Sequence, residues 1–389
     1  MHQPSKSTGG VTRRFAAALV LACLLAPAPA LAQAEQGADP NLYASQKHPF
    51  RVVSVATGLR QPIALAFPES DSIIVAERGG TIRVLRKGKL DPVPLQGLPD
   101  IAVGGQGGLL DLCIHPQFER NHWVYIAFAV AGDGGLGTRI VRATLSDGRL
   151  RDHLTVLDQA RSQGDQRFGG RMSFLRDETL VVALGDRGQS ERAQDLLDLA
   201  GKTVRISDDG SIPGDNPFLG RPGARPEIYT FGNRSGRGLA LQPGTGLLWQ
   251  SEQTPRGGDE INVLHPGDNY GWPRISYGID ASGVPIGTGR IHPRMKQPRH
   301  VWAEQVTPAG MVFYDGQAFP NWVGDLFVGT MEQGMLVRLG IRGKRVVGEE
   351  RLLLRALGPI PEVALGPDGY IYLLTDTREG HLFRLEPAN

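Results

Sequence analysis

Ile63-Ala64-Leu65-Ala66-Phe67, then Ser72-Ile73-Ile74-Val75-Ala76-Glu77, then Thr81-Ile82-Arg83-Val84-Leu85 is the stretch that decides the fold. A small apolar run, a turn, a second β-rich run and a third run ending in an aliphatic pair make one unit. Short apolar runs punctuated by turn formers are the mark of strands, not of amphipathic helices. The unit recurs along the chain. A second copy spans 108–110, 123–128 and 138–142, and a third spans 171–174, 179–184 and 203–206. The fourth is 238–241, 247–252 and 260–263, and the fifth is 310–313, 325–329 and 335–339. The sixth is 362–365, 370–374 and 381–385. Six copies of a three- or four-strand unit predict an all-β chain folded as a six-bladed β-propeller. The spacing is uneven, and the excess at 144–168, 186–202 and 267–308 reads as inter-blade loop insertions on one face. Such loops usually carry binding. Only 191–199 looks helical. No Pro/Ser-rich linker divides the repeats, which favours one closed ring over two β domains.

Composition agrees with this reading. Glycine (52) and proline (28) make up about a fifth of the 389 residues, against an average near 12%. That is rich in turns but short of a disordered composition. Hydrophobic content of 40% supports a core that needs no staples.

The N-terminus reads as an export signal. Arg13 and Arg14 precede an apolar run from Phe15 to Leu25, and Ala30-Leu31-Ala32 is an A-x-A cleavage pattern. Residues 1–32 are therefore expected to be removed, 33–49 to form an extension and 50–386 to form the propeller. The apolar run is too short to span a bilayer, which takes about 20 residues. The expected location is a periplasm or the outside of the cell. A lipid anchor at Cys23 competes with cleavage and ranks second. Removing Lys6, Arg13 and Arg14 takes the net charge from +2 to −1. That balance excludes nucleic acid and anionic membranes as expected partners. It also leaves Cys113 alone, in a strand-like run, as a buried inert thiol.

Several motifs occur in one order: Gly104-Gly105-Gln106-Gly107-Gly108, Phe168-Gly169-Gly170-Arg171, Leu184-Gly185-Asp186-Arg187-Gly188 and Gly201-Lys202-Thr203-Val204. They continue with Ile212-Pro213-Gly214-Asp215-Asn216, Ser251-Glu252-Gln253-Thr254-Pro255, Asp259-Glu260-Ile261-Asn262 and Asn269-Tyr270-Gly271-Trp272-Pro273. In these motifs the chain resembles the soluble PQQ-dependent aldose (glucose/sorbosone) dehydrogenases, over nearly all of residues 50–386. The resemblance implies a six-bladed propeller and hydride transfer from a sugar's anomeric carbon to the quinone. In that scheme a histidine takes the hydroxyl proton, calcium holds the cofactor, and Arg and Lys clamp its carboxylates. It places Gln106, Asp186 and Arg234 at cofactor or base-supporting positions, and the Thr254 and Pro255 carbonyls at the cofactor calcium. Glu260, the Tyr270 carbonyl and Asp280 fall at a second, structural calcium site, where oxygen-only ligands suit Ca²⁺.

The sequence departs from the family pattern at five places on that face. The catalytic histidine position holds Arg167, and a guanidinium stays protonated and cannot act as a base. The Arg-Asn pair becomes Arg234-Ser235. The clamp lysine position holds Glu332, and the two clamp arginine positions hold Pro359 and Pro361, which offer no charge and no N–H. Charge-assisted hydrogen bonds contribute about 1.5–3 kcal/mol each, so three missing cations weigh heavily against binding a tricarboxylate. Two readings stay open. One is a secreted quinoprotein-type sugar oxidoreductase with a surrogate base at Asp165, Asp186 or Glu191. The other is a non-catalytic propeller that binds a carbohydrate or small anion. A hydrolase reading lacks a carboxylate–metal motif of its own. Plainer roles stand beside the sharp ones: strand-end caps for Glu260 and Asn262, a turn for Asp186, inter-blade packing for Trp272 and Trp302. Arg167 and Arg171 read either as a surface pair or, with Arg234, as an anion patch.

Overall fold

A computed structural model describes residues 39–388. The export segment, its cleavage site and Cys23 lie outside the described residues. The described chain forms six antiparallel sheets, one for each repeat seen in the sequence. Blade 1 is Pro62–Glu69, Ser72–Glu77, Thr81–Arg86 and Lys89–Leu90. Blade 2 is Leu109–Ile114, Trp123–Gly132, Gly135–Ser146 and Arg149–Asp158. Blade 3 is Gly169–Phe174, Leu180–Leu184, Lys202–Ile206 and Ile228–Phe231. Blade 4 is Gly236–Leu241, Leu248–Glu252, Asp259–Leu264 and His300–Trp302. Blade 5 is Pro308–Phe313, Leu326–Thr330, Leu336–Arg342 and Arg345–Leu352.

Blade 6 closes the ring. Its strands Glu362–Leu365, Ile371–Thr375 and Gly380–Pro387 come from the C-terminal end, while Phe50–Leu59 and Leu42–Tyr43 come from the other. Val52 pairs with Leu385 and Ser54 with Phe383. The first strands of successive blades touch in ring order, and that of blade 6 returns to that of blade 1. The fold is an all-β six-bladed propeller.

Each interface between neighbouring blades carries its own apolar cluster. Ile74, Ile126 and Phe128 fill the space between blades 1 and 2, and Val182, Val204 and Tyr125 that between blades 2 and 3. Trp249, Trp302 and Phe327's neighbour Val328 lie between blades 4 and 5. A middle strand is therefore buried on both faces, which is why Leu180–Leu184 and Leu326–Thr330 read as continuous apolar runs. Trp302 takes the packing role, its indole N–H donating to Glu349 at 3.1 Å. Cys113 carries a free thiol whose pKa burial pushes up.

The long insertions lie inside blades, not between them. Residues 185–201 join the second and third strands of blade 3, and 265–299 join the third and fourth of blade 4. Much of 144–168 is strand, the outer edge of blade 2. The expected helix over 191–199 is only a 3₁₀ turn, Ser190–Gln194. Asp195 and Asp198 accept the backbone N–H of Leu197 and Ala200, which diverts the chain from helix into turns.

Candidate functional site

Strands alternate in direction, so the starts of first strands and the ends of second strands share one face. The loops 104–108, 159–168, 185–201, 232–235 and 253–258 all open there. The insertion of blade 4 also reaches this face. It climbs the edge of blade 3, where the Tyr270 N–H donates to the Phe231 carbonyl at 2.8 Å, and delivers Trp272 to the Asp186 carboxylate. The face is thus built from blades 2, 3 and 4 together.

At its centre is Asp186, fully buried at the end of a blade 3 strand. Its Oδ1 accepts the Gly188 N–H at 2.8 Å and faces Arg167 Nη1 at 3.5 Å; its Oδ2 accepts the Trp272 indole N–H at 3.0 Å. The Asp186 N–H donates to the Arg234 carbonyl at 2.9 Å. Trp272 is buried behind this carboxylate, so its role here is support. Arg167 sits at a left-handed φ of 52°. Its N–H donates to Gln106 Oε1 at 2.8 Å, which ties the blade 2 glycine loop to the same spot. Gly185 is required beside it, because a Cβ there would strike the Arg167 carbonyl.

Arg234 lies one layer deeper. Its backbone N–H donates to Glu252 Oε1 at 2.7 Å and its Nη1 to the Gln253 carbonyl at 2.8 Å. Burial, with Arg167 nearby, holds its pKa down to about 10. Of the residues singled out in the sequence, the structure brings Gln106, Arg167, Asp186 and Arg234 together. Thr254 and Pro255 follow on the turn between two blade 4 strands, with the Thr254 N–H donating to Asp259 at 2.7 Å.

Beside that turn Glu252 and Glu260 face each other across a strand pair. Burial pushes their carboxyls up to about 7 and about 8, and for Glu260 the neighbouring Glu252 adds to the effect. Both line one small cavity with Tyr270 and Thr254. The Gln250 and Asn262 side-chain carbonyl oxygens are buried with no hydrogen-bond donor. Asp280 does not line that cavity. It accepts from the Ser282 and Val284 N–H groups at 2.8 and 2.9 Å and caps its own turn. Among the described residues no group of three or more His, Cys, Asp or Glu side chains is arranged to hold a metal.

The candidate clamp positions lie elsewhere on the same face. Glu332 is exposed. The Pro359 carbonyl accepts the Asp376 N–H at 2.9 Å, and the Pro361 carbonyl accepts both the Gly310 N–H at 3.0 Å and Arg171 Nη2 at 2.8 Å. Asp165 and Glu191 are exposed, and Glu191 pairs with Arg274 at 2.8 Å. Arg171 is not a surface cation: it contacts Asp111 at 3.2 Å and Glu362 more closely still. Two cations of this region, Arg78 and Arg237, were missed by sequence reasoning. Arg237 in Gly236-Arg237-Gly238 was the available signal, a charge at the start of an inner strand.

Comparison with known proteins places this arrangement. The family model for glucose / sorbosone dehydrogenases matches residues 59–384. The chain is 39% identical to the aldose sugar dehydrogenase YliI of Escherichia coli K12, over 85% of this chain and 91% of that protein. It is 28% identical to quinoprotein glucose dehydrogenase B of Acinetobacter calcoaceticus, over 83% and 84%. A solved glucose dehydrogenase structure superposes with a TM-score of 0.84 at 42% identity, covering 87% of this chain and 99% of that one. The PQQ-bound aldose sugar dehydrogenase of Streptomyces coelicolor superposes at 0.72 with 26% identity, over 87% and 98%. Fold and face together define a propeller of the sugar oxidoreductase class. The chain belongs to the glucose/sorbosone dehydrogenase family. Among the described residues no helix is long and apolar enough to cross a membrane.

Proposed function

We propose that this chain is an exported sugar-binding member of the family that has kept the scaffold and lost the proton-accepting step of anomeric oxidation. The observation that carries this is the Arg167–Asp186 pair at 3.5 Å. A permanent cation stands where the hydroxyl proton must be accepted. The carboxylate behind it is fully buried and already accepts on both oxygens, so it cannot reach a substrate hydroxyl. Asp165 and Glu191 are exposed; the Asp165 carbonyl accepts the Gln106 N–H at 2.8 Å, while its carboxylate stands in solvent, and Glu191 is paired with Arg274.

The residues present do not fit PQQ as its relatives' clamp would. Glu332 repels a tricarboxylate, Pro359 and Pro361 spend their carbonyls on backbone and Arg171, and Arg171 is already neutralised. Calcium fits better. Glu252 and Glu260 give two buried carboxylates on one cavity beside Thr254 and Tyr270, and a divalent cation would remove the repulsion between them. A structural role in holding blade 4 is the reading this supports.

The second reading is a quinoprotein-type dehydrogenase that oxidises an aldose at its anomeric carbon. Family membership and the assembly of Gln106, Asp186 and Arg234 favour it. Reconstituting the mature protein with PQQ and Ca²⁺ and following dye reduction with a panel of aldoses separates the two. No turnover together with measurable aldose binding is expected; turnover would reinstate the dehydrogenase.

A further inference from the structure

At the mouth of the central channel, inner strands of blades 3 and 4 and the end of a blade 1 strand bring Arg171, Arg237 and Arg78 around one cavity of about 70 Å³, with Gln106 on its rim. The three guanidiniums are not equivalent. Arg171 is held by Asp111, Glu362 and the carbonyls of Ile63 and Pro361. Arg78 has Asp376 only at 3.9 Å, and its Nε is buried with no acceptor. The Arg237 guanidinium makes no hydrogen bond and no ion pair with any described residue. The carboxylate that acts on it from a distance, Asp259, is already occupied by the N–H groups of Thr254, Val306 and Thr307. Burial and the two neighbouring arginines hold the pKa of Arg237 down to about 10.

An unspent, half-buried guanidinium beside two like charges, opening into a polar cavity, gains from an anion that joins it. The cavity has the volume of roughly two water molecules, enough for one oxyanion group and too small for a sugar ring. We propose that Arg237, with Arg78, forms a site for the carboxylate or phosphate of an acidic sugar, whose ring rests outside on the loop face. The inference rests on the reading that this face binds a sugar, and it narrows the ligand class from neutral aldoses to sugar acids or sugar phosphates. Paired charge-assisted hydrogen bonds from two guanidiniums give the preference its size, about tenfold or more over the neutral sugar.

The test is calorimetric titration of the mature protein with glucose, glucuronate, glucose 6-phosphate and inorganic phosphate, repeated for Arg237→Gln and Arg237→Lys. The expected result is binding of glucuronate or glucose 6-phosphate at least about tenfold tighter than glucose, with the tighter of the two naming the anion. The preference should vanish in Arg237→Gln, persist in part in Arg237→Lys and shrink with added salt. Thermal unfolding of Arg237→Gln should match or exceed the parent, because a crowded cation has been removed. Equal affinities for glucose and the acidic sugars, or a preference that survives Arg237→Gln, would overturn the anion site and leave sugar binding standing. Binding of inorganic phosphate without any sugar would keep the anion site and remove the sugar. A destabilised Arg237→Gln protein would make the arginine structural and overturn the proposal.

Discussion

Arg167 decides the chemistry at the residue scale. In the proposed reading it takes the place of a base, and its guanidinium faces the buried Asp186 carboxylate at 3.5 Å. Arg167→His on its own should therefore leave dye reduction with PQQ near background, because Glu332, Pro359 and Pro361 still stand at the positions where the resemblance expects cationic clamps. Strong activity in that single variant would show that the clamp is dispensable. A second residue-scale prediction concerns pH. Asp111 and Glu362 are buried with one guanidinium, Arg171, between them. Burial pushes the Glu362 carboxyl up to about 7, against the pull of Arg171, while Asp111 adds to the rise. A carboxyl raised in the fold contributes stability that is present below its ordinary value and lost as pH rises through the raised one. Thermal stability should fall between about pH 5 and pH 8, with Glu362 contributing on the order of 2–3 kcal/mol, and Glu362→Gln should make the fall shallower without abolishing it, because Glu252 and Glu260 are raised into the same range. An unchanged profile in that variant would assign the slope to another group.

Blade 4 carries the argument at the scale of elements. Its second and third strands set Glu252 against Glu260 and Gln250 against Asn262, and each amide donates to the carboxylate on its own strand, Gln250 to Glu252 at 3.0 Å and Asn262 to Glu260 at 2.8 Å. Calcium at millimolar concentration should raise Tm by several degrees, and Glu260→Gln should abolish the rise; an equal rise in the variant would place the ion elsewhere. The strands themselves were legible because blade interiors are apolar on both faces, as in Leu180–Leu184. Outer strands were less so. Arg149–Asp158 is mostly exposed and polar, and Lys89–Leu90 and His300–Trp302 are too short to carry a period. That is why the surplus chain was assigned between blades and not within them. The candidate site was legible where motif order brings residues together, as for Gln106, Asp186 and Arg234. Arg78 and Arg237 were not, because facing the axis is a property of the ring and not of local sequence. Asp280 has a simple physical reason for standing apart: its carboxylate is consumed by its own turn.

For the whole molecule, closure of the ring governs stability. Phe50 is fully buried and belongs to a strand from near one end of the described chain that pairs with the strand at the other. Its ring stacks against Tyr43 and meets Trp322 edge-on, each at 5.7 Å. Phe50→Ala should cost about 3–5 kcal/mol in denaturant unfolding and loosen blade 6 first, seen as faster hydrogen exchange in 380–387. A small loss with unchanged exchange would mean the ring holds without this strand. The same closed ring fixes the loop face on which binding and lost chemistry meet. The central claim is that the face binds but does not oxidise. It is tested most directly by PQQ- and calcium-dependent dye reduction with aldoses, run side by side on the natural sequence and on a variant carrying Arg167→His, Glu332→Lys, Pro359→Arg and Pro361→Arg. The account predicts no turnover by the former and its appearance in the latter. Turnover by the natural sequence would contradict it.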